Sequence, residues 1–171
     1  KTMSALVDDS LERYNLSGLP AILDKIKDFG FRYATRSGIT FGLDDINPPK
    51  EKESIIESAK KKAESIKNEF EEGLLSEEER YRQNLEIWHA AKNEIENVTP
   101  GSMAEASSVY NMIKSGARGS IGNLVQMAGM KGLIQNTAGE TIEFPILSSY
   151  KEGLTPIEYF MSTHGARKGS A

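Results

Sequence analysis

The chain has 171 residues, of which 38% are hydrophobic, 8% aromatic and 27% charged, enough for one domain with a modest core or a small domain carrying a solvated arm. A formal net charge of −4 excludes nucleic-acid binding through bulk electrostatics, so any contact with a polyanion must be local. No cysteine is present, which excludes disulfides and thiolate zinc sites; His89 and His164 lie too far apart in sequence for a metal-ligand motif, and without a long apolar run a soluble cytoplasmic protein is expected.

Met3, Leu6, Val7, Leu11 and Tyr14 recur at helical intervals and predict a first helix, broken at Ser17-Gly18. A second helix starts at Pro20, carries Ile22, Leu23, Ile26 and Phe29 on one stripe, and is expected to end at Gly30. From Phe31 to Leu43 the pattern predicts short extended segments with a turn at Ser37-Gly38. Asp44 and Asp45 follow. Neighbours on an extended chain point to opposite sides, so this pair is poorly placed to share a magnesium ion or to act as acid and base. They are expected to precede a helix start, with Asn47 as cap and Pro48-Pro49 as its first residues.

The next fifty residues carry the clearest structural signal. Ile56, Ala59, Ala63, Ile66 and Phe70 alternate steps of three and four, as do Tyr81, Leu85, Trp88, Ala91 and Ile95 with little deviation, a two-helix coiled-coil pattern. Gly73 is placed to end the first helix, and Ser76 with Glu79 matches a capping box for the second. The expected result is an antiparallel hairpin whose arms project about 30 Å at about 1.5 Å per residue. Exposed pairs such as Glu57 with Lys61 solvate its outer faces, while the tip, Glu77 to Gln83, is a natural docking post.

Pro100-Gly101 ends the hairpin, and Met103 to Lys114 resume a short helix. Leu133-Ile134 and Thr141 to Phe144 flank Asn136 to Gly139 and predict a small β-hairpin, confined to an edge by Pro145. Thr155, Pro156 and Glu158 form a capping box with proline at the first helical position, so a last helix starts there; it is expected to run on beyond the chain end.

Ser115 to Lys131 is the chemically distinctive stretch. Gly116, Gly119, Gly122 and Gly129, with Gly132 just beyond, let the backbone approach a partner and expose N–H groups, while Arg118 and Lys131 supply positive charge. That combination suits a phosphate or nucleic-acid backbone; the alternative is that the glycines serve tight packing between helices and turns. Neither a P-loop nor a Gly-x-Gly-x-x-Gly spacing occurs here.

Several of these runs, in this order, resemble the beta-prime family, the largest catalytic subunit of bacterial-type RNA polymerases. They are Ser115-Gly-Ala-Arg-Gly-Ser120, Gln126-Met-Ala-Gly-Met-Lys-Gly-Leu133, Ile142-Glu-Phe-Pro-Ile146, Tyr150-Lys-Glu-Gly-Leu154 and Tyr159-Phe-Met-Ser-Thr-His-Gly-Ala-Arg-Lys-Gly169. Upstream, Gly30-Phe-Arg-Tyr-Ala-Thr35, Gly42-Leu-Asp-Asp45 and Glu79-Arg-Tyr81 fall in the same order. The resemblance implies that the hairpin forms the rim helices of the secondary channel, with Glu79, Tyr81 and Arg82 docking regulators of the transcript-cleavage type. It implies that Arg118, Gln126, Met130 and Lys131 lie near the incoming nucleotide. It also implies that the last helix is the start of the bridge helix, with His164, Gly165, Ala166, Arg167, Lys168 and Gly169 as its hinge. Lys131 stands where the family often has arginine, which keeps the charge but loses a bidentate fork. Arg82-Gln83 replaces an Asn-Lys of some relatives, so alarmone binding at the rim is not carried over.

The family's magnesium-binding Asn-Ala-Asp-Phe-Asp-Gly-Asp motif is absent from this sequence, so the chain alone is not expected to polymerise RNA. It is expected to hold no metal or cofactor itself; magnesium, DNA, RNA, nucleotides and the other polymerase subunits are partners of the complete enzyme, and no membrane is involved. The expected fold is mainly α: a helical base with short extended segments over 1–46, the coiled-coil hairpin over 47–99, the glycine-rich region with its β-hairpin over 100–154, and the truncated bridge helix over 155–171. A free-standing coiled-coil adaptor and a small nucleotide-binding enzyme are the rival readings. The adaptor leaves the glycine-rich stretch and Tyr159 to Gly169 unexplained; the enzyme lacks a nucleophile with an adjacent base.

Overall fold

A computed structural model describes residues 2–14, 17–103 and 107–170, with side chains described up to Gly165 in the last helix. The described chain is mainly helical, and among the described residues no strand forms. It divides into two compact units, Lys1–Thr40 and Phe41–Ala171, rather than after Ile46. Ile46 explains the shift: it is buried with Met103, Val109, Leu124 and Ala128 and so belongs to the second unit.

The first unit contains α1 (Thr2–Arg13) and α2 (Leu19–Ser37). The expected end of α2 at Gly30 is overturned. The helix runs through Gly30 and Phe31, and stops where Gly38 takes a left-handed φ of 62°. The residues after Gly30 continue the helix because a single interior glycine costs only about 1 kcal/mol, less than breaking the hydrogen bonds around it. The extended segments expected from Phe31 onward therefore do not begin until after Gly38.

In the second unit, Leu43–Asp45 forms a 3-10 turn in which Asp45 Oδ2 accepts from Gly42 N–H at 2.8 Å. The expected helix start at Asn47 and Pro48-Pro49 is also corrected: α3 spans Lys52–Glu71, with Glu51 preceding it and Lys52 N–H donating to Pro49 O. Pro49 is buried beside the first turn instead of opening it. α4 spans Glu77–Val98, and the two helices share a core of Ile55, Ile56, Ala59, Trp88, Ala91 and Ile95.

The link between them follows the expected chemistry. Gly73 has φ 80°, and the N–H groups of Gly73 and Leu74 donate back to Phe70 O and Glu69 O, both at 2.9 Å, the paired bonds of a Schellman end. Ser76 Oγ accepts from Glu79 N–H at 3.2 Å, which caps α4. The Glu79 carboxylate does not close the reciprocal bond and pairs with Arg82 at 3.5 Å instead.

Beyond α4 a 3-10 turn, Thr99–Ser102, leads to α5 (Ser108–Lys114), capped by Ser107. The expected helix from Met103 falls partly outside the described residues. α6 (Ile121–Leu124) follows, opened by a reciprocal Ser120/Asn123 capping box, and passes into a π-turn, Val125–Gly129. In place of a full β-hairpin, residues 132–146 make two isolated antiparallel bridges, Gly132 with Ile146 and Gln135 with Thr141. The last helix, α7, spans Pro156–Ser170 and is unbroken at Gly165.

Candidate functional site

The second unit places the glycine-rich stretch on the flank of the helical pair. Val125 and Met130 join the core of Ile55, Ile56, Trp88 and Ile95, and Ile95 is fully buried. Gly129 allows that approach, since a Cβ there would lie 2.6 Å from Ile95 Cγ2 and 3.3 Å from Thr99 Oγ1. For Gly129 the packing reading of the glycines therefore holds. Gly116 and Gly119 have left-handed φ values of 72° and 84°, which are turn conformations that favour glycine.

The four residues expected near a nucleotide separate. Arg118 is exposed beside Gly119 and lines an apolar pocket with Phe41, Ile46, Met112 and Met127. Gln126 and Lys131 are half-buried; Lys131 Nζ bonds the Tyr150 hydroxyl, sits 4.7 Å from that ring's centroid, and donates to Gln126 Oε1 at 3.3 Å. Met130 is fully buried and faces the core of the helical pair rather than any opening.

The segment carrying Tyr150 is held from several sides. Lys131 N–H donates to Ser148 O at 3.2 Å, and the N–H groups of Tyr150 and Lys151 donate to Gln126 O at 3.0 Å and Met127 O at 3.1 Å. Two Ser/Thr-x-x-Glu boxes then lead into α7. In the first, Ser149 N–H donates to Glu152 Oε2 at 2.8 Å and Glu152 N–H to Ser149 Oγ at 3.3 Å. In the second, Thr155 N–H donates to Glu158 Oε2 at 2.9 Å and Glu158 N–H to Thr155 Oγ1 at 3.3 Å. The second box was legible in the sequence; the first has the same spacing and was missed.

Both glutamates are held below the ordinary carboxylate value. For Glu152, partial burial works the other way but is outweighed by the bonds from Lys52 and Ser149. For Glu158, burial is likewise outweighed by bonds from Thr155 and Ser148, the Ser148 hydroxyl lying 3.0 and 3.1 Å from the carboxylate oxygens.

At the far end of the helical pair, the expected docking residues are also divided. Glu79 and Arg82 are exposed and face solvent together. Tyr81 is half-buried, and its hydroxyl donates to Thr141 O at 2.8 Å. Beside it, Arg80 forms a two-pronged pair with Glu143 at 2.6 and 3.0 Å, and Asn84 Nδ2 donates to Glu143 O at 3.3 Å. The sequence carried no local signal for this clamp, because Arg80 and Glu143 lie 63 positions apart. Leu74 and Phe144 are the most exposed large apolar side chains here, at 68% and 72%.

On α7, the His164 ring meets Phe160 edge-on, with centroids 5.3 Å apart. Gly165 is helical and exposed. The side chains of Ala166, Arg167, Lys168 and Gly169, the rest of the expected hinge, lie outside the described residues. Among the described residues no three His, Cys, Asp or Glu side chains converge as a metal ion needs. Asp45 is used to cap its own turn, and no chemical step is assigned to a metal. No described helix is long and apolar enough to cross a membrane.

This geometry describes a helical pair with an exposed connecting turn and a glycine-rich segment packed on its flank. The family description RNA polymerase Rpb1, domain 4, matches residues 46–167, and the chain belongs to that family. It is 44% identical over 169 residues to DNA-directed RNA polymerase subunit beta' of Bacillus subtilis (strain 168), covering 99% of this chain and 14% of that subunit. The beta' subunits of Geobacillus kaustophilus (strain HTA426) and Nocardioides sp. (strain ATCC BAA-499 / JS614) are each 43% identical over 171 residues, covering all of this chain and 14% and 13% of their own lengths. The chain thus spans about one seventh of the curated relatives it matches. The resemblance to beta-prime stands.

Proposed function

We propose that this chain is the secondary-channel segment of a beta-prime subunit in a DNA-directed RNA polymerase, and that it serves nucleotide access, support of the active centre and docking of transcription regulators. In this reading α3 and α4 act as an antiparallel coiled coil, the rim helices, and α7 is the first part of the bridge helix with its hinge at His164 to Gly169. Its partners are the other polymerase subunits, cleavage-type regulators, and, in the assembled cytoplasmic enzyme, nucleotides, DNA and RNA. Magnesium belongs to the complete enzyme, and the segment alone does not catalyse.

The observation that carries the reading is the packing of Val125, Gly129 and Met130 against Ile95 and its neighbours. It joins the glycine-rich stretch to the base of a two-helix element whose tip, at Leu74 and Glu77 to Glu79, remains exposed. One rigid element therefore carries a docking end and a nucleotide-side end. Arg118 supplies charge at the nucleotide-side end as an exposed cation, and Lys131, bonded to Gln126, supplies a second at a separate place.

In the assembled polymerase, Arg118→Ala should raise KM for nucleotides by about tenfold, the equivalent of about 1.4 kcal/mol, and leave regulator affinity unchanged. Alanine at Glu79, Tyr81 and Arg82 together should weaken a cleavage-type regulator by at least about tenfold and leave nucleotide KM unchanged. Parent-like behaviour of both enzymes would overturn the proposal.

A further inference from the structure

Lys52, in the first turn of α3, is buried, its side chain only 7% exposed. Burying an ammonium group is unfavourable unless the charge is paired. Its Nζ bonds Glu152, 100 positions away in sequence. That glutamate is set by its own turn: it accepts from Ser149 N–H at 2.8 Å and Oγ at 3.0 Å, and Ser149 is completely buried. Gly153, with φ 88°, closes the turn by donating its N–H to Ser149 O.

The same turn touches two other elements. On one side Tyr150 and Lys151 bond the backbone of Gln126 and Met127; on the other, Ser148 bonds Glu158 in the first turn of α7. Ser148 to Glu152 is therefore the joint at which α3, the glycine-rich stretch and α7 meet, and Lys52 is the one charged side chain reaching it from α3 among the described residues. We propose that Lys52 is a positioning residue that acts through Glu152 to hold the start of α7 against the Gln126 to Lys131 segment. The consequence for RNA synthesis rests on the reading of α7 as part of the bridge helix; the clasp itself does not.

The test uses complete polymerases carrying Lys52→Met, Glu152→Gln or Lys52→Arg, with amide hydrogen exchange and single-nucleotide addition measured on each. Lys52→Met and Glu152→Gln should raise exchange across residues 148–160 by about fivefold or more while leaving the tip at 72–79 within about twofold of the parent. Lys52→Arg, which keeps the charge, should restore protection. Nucleotide addition should lose kcat by about threefold or more with KM little changed, as expected when geometry rather than binding is disturbed. Parent-like exchange across 148–160, or a rise spread evenly over the chain, overturns the clasp. Raised exchange with parent-like kcat upholds the clasp and overturns the bridge reading of α7. Should Lys52→Met fail to assemble, Ser149→Ala removes one hydroxyl from the same joint and must raise exchange at the same residues for the clasp to stand.

Discussion

The helical pair of α3 and α4 and the segment from Ser115 to Leu154 lie in one compact unit but are held in different ways. In the pair, stability is spread over repeated apolar positions, Ile55, Ile56, Ala59, Ile66, Trp88 and Ala91, each contributing about 1.5–3 kcal/mol when fully buried for the larger side chains. In the other segment no regular strand and only short helical pieces form among the described residues; Val125 and Met130 seat it on the pair, and its course between them depends on single contacts: one glycine against Ile95, one Ser120/Asn123 box and the Ser149/Glu152 box. A distributed core tolerates change at one surface position. A chain of individual bonds does not.

That contrast is sharpest at Gly129, where the two regions touch. Gly129→Val should destabilise the chain by about 3 kcal/mol, read as a lower urea midpoint, because Ile95 is fully buried and has little room to retreat. A loss below about 0.5 kcal/mol would mean that the glycine-rich segment is not seated on α4 as described.

A smaller effect should appear on acidification. Glu152 and Glu158 titrate below their ordinary value in the folded chain, so their contribution is present above the unfolded-chain value of about 4.3 and is lost as pH falls through the folded one. Unfolding followed between pH 7 and pH 3 should show the decline, and Glu152→Gln with Glu158→Gln should flatten it. An unaltered slope in the double variant would break the link between these boxes and the stability of the segment.

The smallest effect belongs to the helical pair's outer face. Lys61 and Glu57 are 3.8 Å apart with side chains 74% and 62% exposed, so Lys61→Ala should change stability by no more than about 0.5 kcal/mol. A larger loss would show that the pair depends on specific surface bonds as the other segment does.

The same division explains which expectations were legible. Periodicity announced α3 and α4 because burial on one face of a helix repeats every three or four residues, and local rules announced Gly73, Ser76 and the Thr155 box because capping partners are near in sequence. They failed where a local preference was outweighed or a helix began late: Gly30 lies inside α2, and Pro49 is buried before α3 instead of opening it. Of the candidate site, the structure gives only the surroundings: Arg118 and Glu79 are exposed, Met130 is core and Tyr81 is tied to Thr141, none of which local spacing announces.

The sequence by itself determined the helical character, the turn between α3 and α4, the start of α7 and the family, since each rests on short-range pattern or on ordered motifs. Only the tertiary structure decided that Lys52 meets Glu152, that Arg80 meets Glu143 and that Gly129 meets Ile95. Those pairs are separated by dozens of residues, and no rule of local spacing links them: they are selected because a buried charge needs a partner and a close backbone approach needs a missing Cβ.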